Sequence, residues 1–175
     1  MLKKNRAALL LILKHALLLL ILYVLQALVF PWFGTAVQPM LLCVAAAGVA
    51  HGEGSFPGSL FGLFAGVLTD SALGRPIMTF TLLLTVLGLL IGYLSENWLS
   101  ANLPAYAASC ALSCLICIVV QALPVLLRHG SPAALCLTAL IQLAVSMIFS
   151  LLLLPVVRCL TRAYRREWRT LPHRS

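Results

Sequence analysis

Long apolar runs recur along the chain, separated by short polar clusters. The first runs from Leu9 to Phe33, broken only by Lys14 and His15, whose stems can snorkel toward a headgroup layer. The second, Val37 to Ala50, is short and alanine-rich, and the third, Phe56 to Leu73, is glycine-rich. Ile77 to Leu94, Leu103 to Leu127 and Ala133 to Val157 complete the set. The clusters between them are His51-Gly-Glu-Gly-Ser55, Arg75-Pro76, Ser95-Glu-Asn-Trp98 and Arg128-His-Gly-Ser-Pro132. A spanning helix needs about 20 mostly apolar residues, so this pattern predicts an all-α integral membrane protein with six transmembrane helices. Pro57, Pro76, Pro104 and Pro132 fall near the first turn of a predicted helix, where the missing N–H is harmless. The expected organisation is a six-span unit over residues 1–157 and a basic tail over 158–175.

Composition and charge sharpen that picture. The chain is 62% hydrophobic and only 9% charged, against about 25% charged in a soluble domain, so its outer surface is matched to lipid. Of 12 Lys and Arg residues, only Arg75 and Arg128 lie away from the two ends. Under the positive-inside rule both termini are expected in the cytoplasm, which requires an even number of spans. Too few cations are grouped on any face for nucleic acid to be a partner. Beyond the last run, Arg158, Arg162, Arg165, Arg166 and Arg169 share one helical face opposite Tyr164, Trp168 and Leu171. That face suits anionic lipid on the inner leaflet, a plain stop-transfer cluster, or an acidic partner. The six cysteines, Cys43, Cys110, Cys114, Cys117, Cys136 and Cys159, all lie in or beside apolar runs. Cys110, Cys114 and Cys117 share one helical face, and Cys114-x-x-Cys117 admits a metal or redox reading, but with no His or charge beside them the cysteines read as small apolar packing residues.

The densest pattern is Gly54, Gly58, Gly62, Gly66, Asp70 and Gly74, one every fourth residue. On a helix this is a bare stripe that lets a neighbouring backbone approach closely, which is how helices associate in lipid. Gly88, Gly92 and Glu96 repeat the theme on the fourth run. An acid at membrane depth is costly unless neutral or paired. Asp70 can pair with Arg75, cap the following turn, bind a cation, engage a partner helix, or simply reach the outer interface. Glu53, flanked by His51, is the second polar candidate near the inner face, either a functional acid or a solvated loop acid. No H-E-x-x-H pair, G-x-S-x-G elbow or phosphate loop is present, and the four histidines lie on separate segments. Neither catalysis, a cofactor nor a metal is expected.

Gly52-Glu53, Gly58, Gly62, Phe64, Gly66, Leu68, Asp70 and Gly74, followed by Gly92-Tyr93, resemble the rod shape-determining protein MreD family. The resemblance implies a fold like the six-helix substrate-binding subunits of energy-coupling-factor transporters. It also implies a non-enzymatic scaffold in the bacterial plasma membrane, where the cell-wall elongation machinery maintains cell shape. The partners it implies are a single-span MreC-like protein, the actin-like MreB and peptidoglycan synthases. On this reading Gly58, Gly62, Gly66, Asp70, Gly74, Gly88 and Gly92 form a helix-packing surface for the MreC-like span. The alternative is a membrane subunit that binds a vitamin-like substrate for transport; its polar candidates, Gln38, Asp70, Asn102 and Gln121, are scattered in sequence.

Overall fold

The structure, a computed structural model, describes residues 2–29, 39–72, 78–98, 102–127 and 132–169, and it is helical almost throughout. The helices are α1 (Leu2–Val24, extended by a π-helical turn over Leu25–Val29), α2 (Leu41–Glu53), α3 (Ser55–Ala72), α4 (Thr79–Asn97), α5 (Leu103–Leu127) and α6 (Pro132–Arg169). Thr79–Asn97, Leu103–Pro124 and Ala134–Cys159 are long and apolar enough to cross a membrane. Within the described side chains, Ile12–Leu28 and Leu41–Glu53 are apolar but shorter. Many outward side chains are large and apolar, such as Ile12, Leu82 and Leu152, the surface expected of helices solvated by acyl chains.

The second apolar run departs from expectation. It forms a helix of 13 residues, about 20 Å at 1.5 Å per residue, against a hydrocarbon core of about 30 Å. Instead of facing lipid, every residue from Leu41 to His51 is buried, and α2 packs against α3, α4, α5, α6 and α1. Its side chains explain this placement. Cys43 to Ala50 contains nothing larger than valine, so neighbours close on it from all sides. The expected polar turn at 51–55 contracts to one residue: the helix continues through Glu53, and only Gly54 breaks it, at φ 104°, where a side chain would be strained.

The faces turned toward α2 are equally lean. On α5 they are Tyr106, Cys110, Ser113, Cys114 and Cys117, and on α6 Ser146, Ser150, Leu153 and Val157, all buried. Backbone amides at the start of α2 are bonded by side chains from other helices: Met40 N donates to Ser146 Oγ at 3.1 Å and Leu42 N to Gln26 Oε1 at 3.1 Å. Finally, α6 runs without a break past the expected boundary at 157/158 to Arg169, with Pro155 inside it. Arg158 is exposed; the side chains of Arg162, Arg165, Arg166 and Arg169 lie outside the described residues.

Candidate functional site

The glycine stripe meets α4 of the same chain. A β-carbon added at Gly62 would sit 2.2 Å from Leu84 O, and one at Gly66 2.4 Å from Thr81 Cα. From the other side, a β-carbon at Gly88 would meet Gly58 O at 2.3 Å, and one at Gly92 would meet Ser55 Cα at 2.4 Å. Gly58 is shared, since its β-carbon would also fall 2.6 Å from Ala50 Cβ on α2. Only glycine permits these approaches. The assignment of this surface to a partner's span is therefore corrected: α4 already fills it. Gly74 lies outside the described residues.

Asp70 closes the seam at one end. Its Oδ1 accepts Phe80 N at 3.1 Å; its Oδ2 accepts Thr81 N at 2.9 Å and Thr81 Oγ1 at 2.8 Å. Those amides are in the first turn of α4, which have no intrahelical acceptor. The carboxylate supplies one and places negative charge at the positive end of the helix dipole. Of the roles open to Asp70, the structure thus shows capping of the next helix; the alternative partner Arg75 lies outside the described residues.

Glu96 does the same at the other end, accepting Ser55 N at 2.9 Å and Ser55 Oγ at 3.2 Å at the start of α3. The correspondence is regular: Ser55, Gly62, Gly66 and Asp70 each have a counterpart 26 residues on, at Thr81, Gly88, Gly92 and Glu96. Two antiparallel helices carrying one pattern make an approximate two-fold hairpin, in which each helix's terminal acid caps the other's start.

Glu53 is not a solvated loop acid. Its side chain is 1% exposed, and its Oε1 lies 3.0 Å from His15 Nε2 on α1. His15 in turn sits edge-on to Phe61, with ring centroids 5.8 Å apart. His51 stacks edge-on to Tyr106, and its backbone carbonyl accepts Ser95 Oγ at 2.6 Å. Glu53, at the α2–α3 junction, and Asp70, near the other end of α3, are separated by the length of that helix, so they form no acid pair.

A further polar grouping was not anticipated. A cavity of about 30 Å³ is lined by Gln26, Met40, Cys43, Thr69, Cys117, Gln121 and Gln142, among others. Gln26 belongs to the π-helical turn of α1, a distortion often found beside functional sites. Gln142 Nε2 donates to Gln121 Oε1 at 3.4 Å, joining α6 to α5. Of the scattered polar candidates only Gln121 reaches this place; Asn102 precedes the far end of α5, and Gln38 lies outside the described residues. The available signal for Gln26 and Gln142 was that an amide inside an apolar run needs a partner. In the same wall, Cys43 Sγ lies 3.3 Å from Cys117 Sγ and 3.1 Å from Ser113 Oγ. Among the described residues, no three His, Cys, Asp or Glu side chains are grouped to hold a metal ion. No protein-family model, curated protein or solved structure matches the chain.

Proposed function

We propose that this chain is a non-enzymatic membrane scaffold of the MreD kind, serving bacterial cell-wall elongation beside an MreC-like single-span partner. The proposal includes six spans, both termini in the cytoplasm, and an arginine-rich tail against anionic lipid. The observation that carries it is the use made of the membrane acids. Asp70, Glu96 and Glu53 all hold one helix to another, so none is left to bind or transform a substrate. Cavity size argues in the same direction. A metabolite needs a pocket of roughly 300–1,000 Å³, about ten times the 30 Å³ between the glutamines, which favours the scaffold over a vitamin-binding transport subunit.

Because α4 occupies the glycine stripe, a partner helix must meet an outward face. The exposed rows Phe56, Leu60 and Phe64 on α3, and Leu82, Val86 and Leu89 on α4, are such faces. The test is photo-crosslinking in cells, with a photoreactive residue placed singly at each of these positions and along the outward leucines of α1 and α6. Capture of an MreC-like protein from one contiguous row supports the reading. Capture from no row, with the chain inserted and folded, sinks it.

A further inference from the structure

We propose that Cys43 and Cys117 form an oxidisable dithiol that staples the central helix α2 to α5, with hydrogen peroxide as the oxidant admitted to it. The two residues are 74 positions apart in sequence, yet their sulfurs are 3.3 Å apart. A disulfide needs about 2.05 Å between sulfurs. The remaining distance is just over an ångström. Both thiols are nearly inaccessible from outside, with Cys43 4% and Cys117 0% exposed. A thiol so enclosed is ordinarily inert.

What distinguishes this pair is that both residues line the glutamine cavity. A water molecule takes about 10–15 Å³ of such space, so 30 Å³ admits a molecule of two oxygen atoms and nothing as large as a peptide thiol. Gln26, Gln121 and Gln142 line the same space, offering amide groups able to hydrogen-bond a peroxide beside the sulfurs. Cys110 does not line it, and Cys136 and Cys159 are exposed elsewhere.

The chemistry balances with one peroxide. The Cys43 sulfur attacks a peroxide oxygen; an S–O bond forms, the O–O bond breaks, and the departing hydroxide leaves as water with the thiol proton. The Cys117 sulfur then attacks the sulfenic sulfur of Cys43. An S–S bond forms, the S–O bond breaks, and the hydroxyl leaves as a second water with the Cys117 proton. Two thiols are oxidised by two electrons and one peroxide is reduced to two waters.

The test uses the full chain in nanodiscs, as Cys136→Ser/Cys159→Ser to remove the exposed thiols. Hydrogen peroxide is added, free thiols are alkylated, and non-reduced digests are read by mass spectrometry. The expected product is a Cys43–Cys117 crosslink, reversed by a phosphine. It should form at least about tenfold faster with peroxide than with glutathione disulfide at equal concentration, because only the former fits the cavity. Adding Cys117→Ala should abolish it, while Cys114→Ala should leave it. A crosslink joining Cys43 to Cys114 instead, thiols all free after peroxide, or equal rates with the two oxidants would each overturn the proposal. Helicity and monodispersity of each variant are checked first, and the two-oxidant comparison, made without touching either reacting cysteine, keeps the test decisive if an alanine variant fails to fold.

Discussion

Asp70→Ala should be among the most damaging single changes in the chain, and for a local reason. The substitution strands Phe80 N and Thr81 N, both bonded to the carboxylate in a buried setting, and removes the acceptor of Thr81 Oγ1. A buried donor left without a partner costs about 1–3 kcal/mol. Two amides therefore put the loss at about 2–6 kcal/mol, above the typical ~1 kcal/mol for an exposed N-cap. Asp70→Asn keeps one acceptor oxygen and should cost about half as much. Thr81→Val removes one of the three donors and should cost about 1 kcal/mol. Glu96→Ala is the internal control. It deletes the equivalent cap, but the Ser55 bonds are exposed, so water can replace the carboxylate and the loss should stay near 0.5–1 kcal/mol. Unfolding of the purified protein in mixed micelles, titrated with sodium dodecyl sulfate and followed by circular dichroism, reads all four. Equal costs for Asp70→Ala and Glu96→Ala, or a cost for Asp70→Ala within 0.5 kcal/mol of zero, would refute the capping argument.

The seam itself is testable with single methyl groups. Gly62→Ala and Gly66→Ala place a β-carbon against α4 backbone that cannot yield, so each should destabilise by about 2–3 kcal/mol in the same micelle titration. Gly48→Ala meets side chains rather than backbone, Tyr106 at 3.1 Å and Val157 at 3.4 Å, which can shift, and should cost less than about 1 kcal/mol. At α1, His15→Ala and Gln26→Leu each remove one of two polar ties to α2, 11 residues apart on both helices. A cysteine placed at Leu22 should then gain maleimide reactivity modestly in either single variant and by about tenfold in the double. Unchanged protection in the double would mean that the apolar packing of residues such as Leu18 and Leu19 holds α1 without these ties. Gln142→Leu breaks the 3.4 Å bond to Gln121 and should cost about 0.6 kcal/mol, the usual worth of such bonds between membrane helices; a loss above about 2 kcal/mol would mean that the amide has a larger role.

Much of the hairpin was legible because its rule is local. Glycine at every fourth place announces a close backbone approach, and the same spacing recurs before Glu96 on the fourth run. What sequence could not supply was the choice between a neighbour within the chain and a neighbour outside it, since both satisfy the same stripe. The burial of Glu53 was not legible because it depends on a residue 38 positions earlier: His15, expected to snorkel, bonds it instead. The burial of the second run was not legible, because hydropathy counts apolar residues and is blind to what surrounds them. Alanine and glycine mark a helix that other helices can enclose as readily as one that lipid can. The cysteines on α5 were placed on one face by their spacing, and the structure turns that face to α2. Nothing in the spacing could show that Cys43, from another helix, meets Cys117 there.

The central helix bears most directly on what the molecule is built to do. With only 13 residues, α2 cannot bridge a hydrocarbon core alone, so in isolation its ends would leave backbone groups at membrane depth without partners. Gln26 and Ser146 bond amides at its start, and His15 holds the acid at its end. It is completed by α1 on both sides and by α6, from nearly opposite ends of the sequence. A helix that depends on the whole bundle gives the bundle one arrangement, because loss of any tie leaves a polar group stranded inside. The acids follow the same economy: Asp70 and Glu96 are turned toward the starts of neighbouring helices. What remains outward is rich in large apolar side chains over a tightly packed interior, and the proposed scaffold role requires a partner helix to meet that surface.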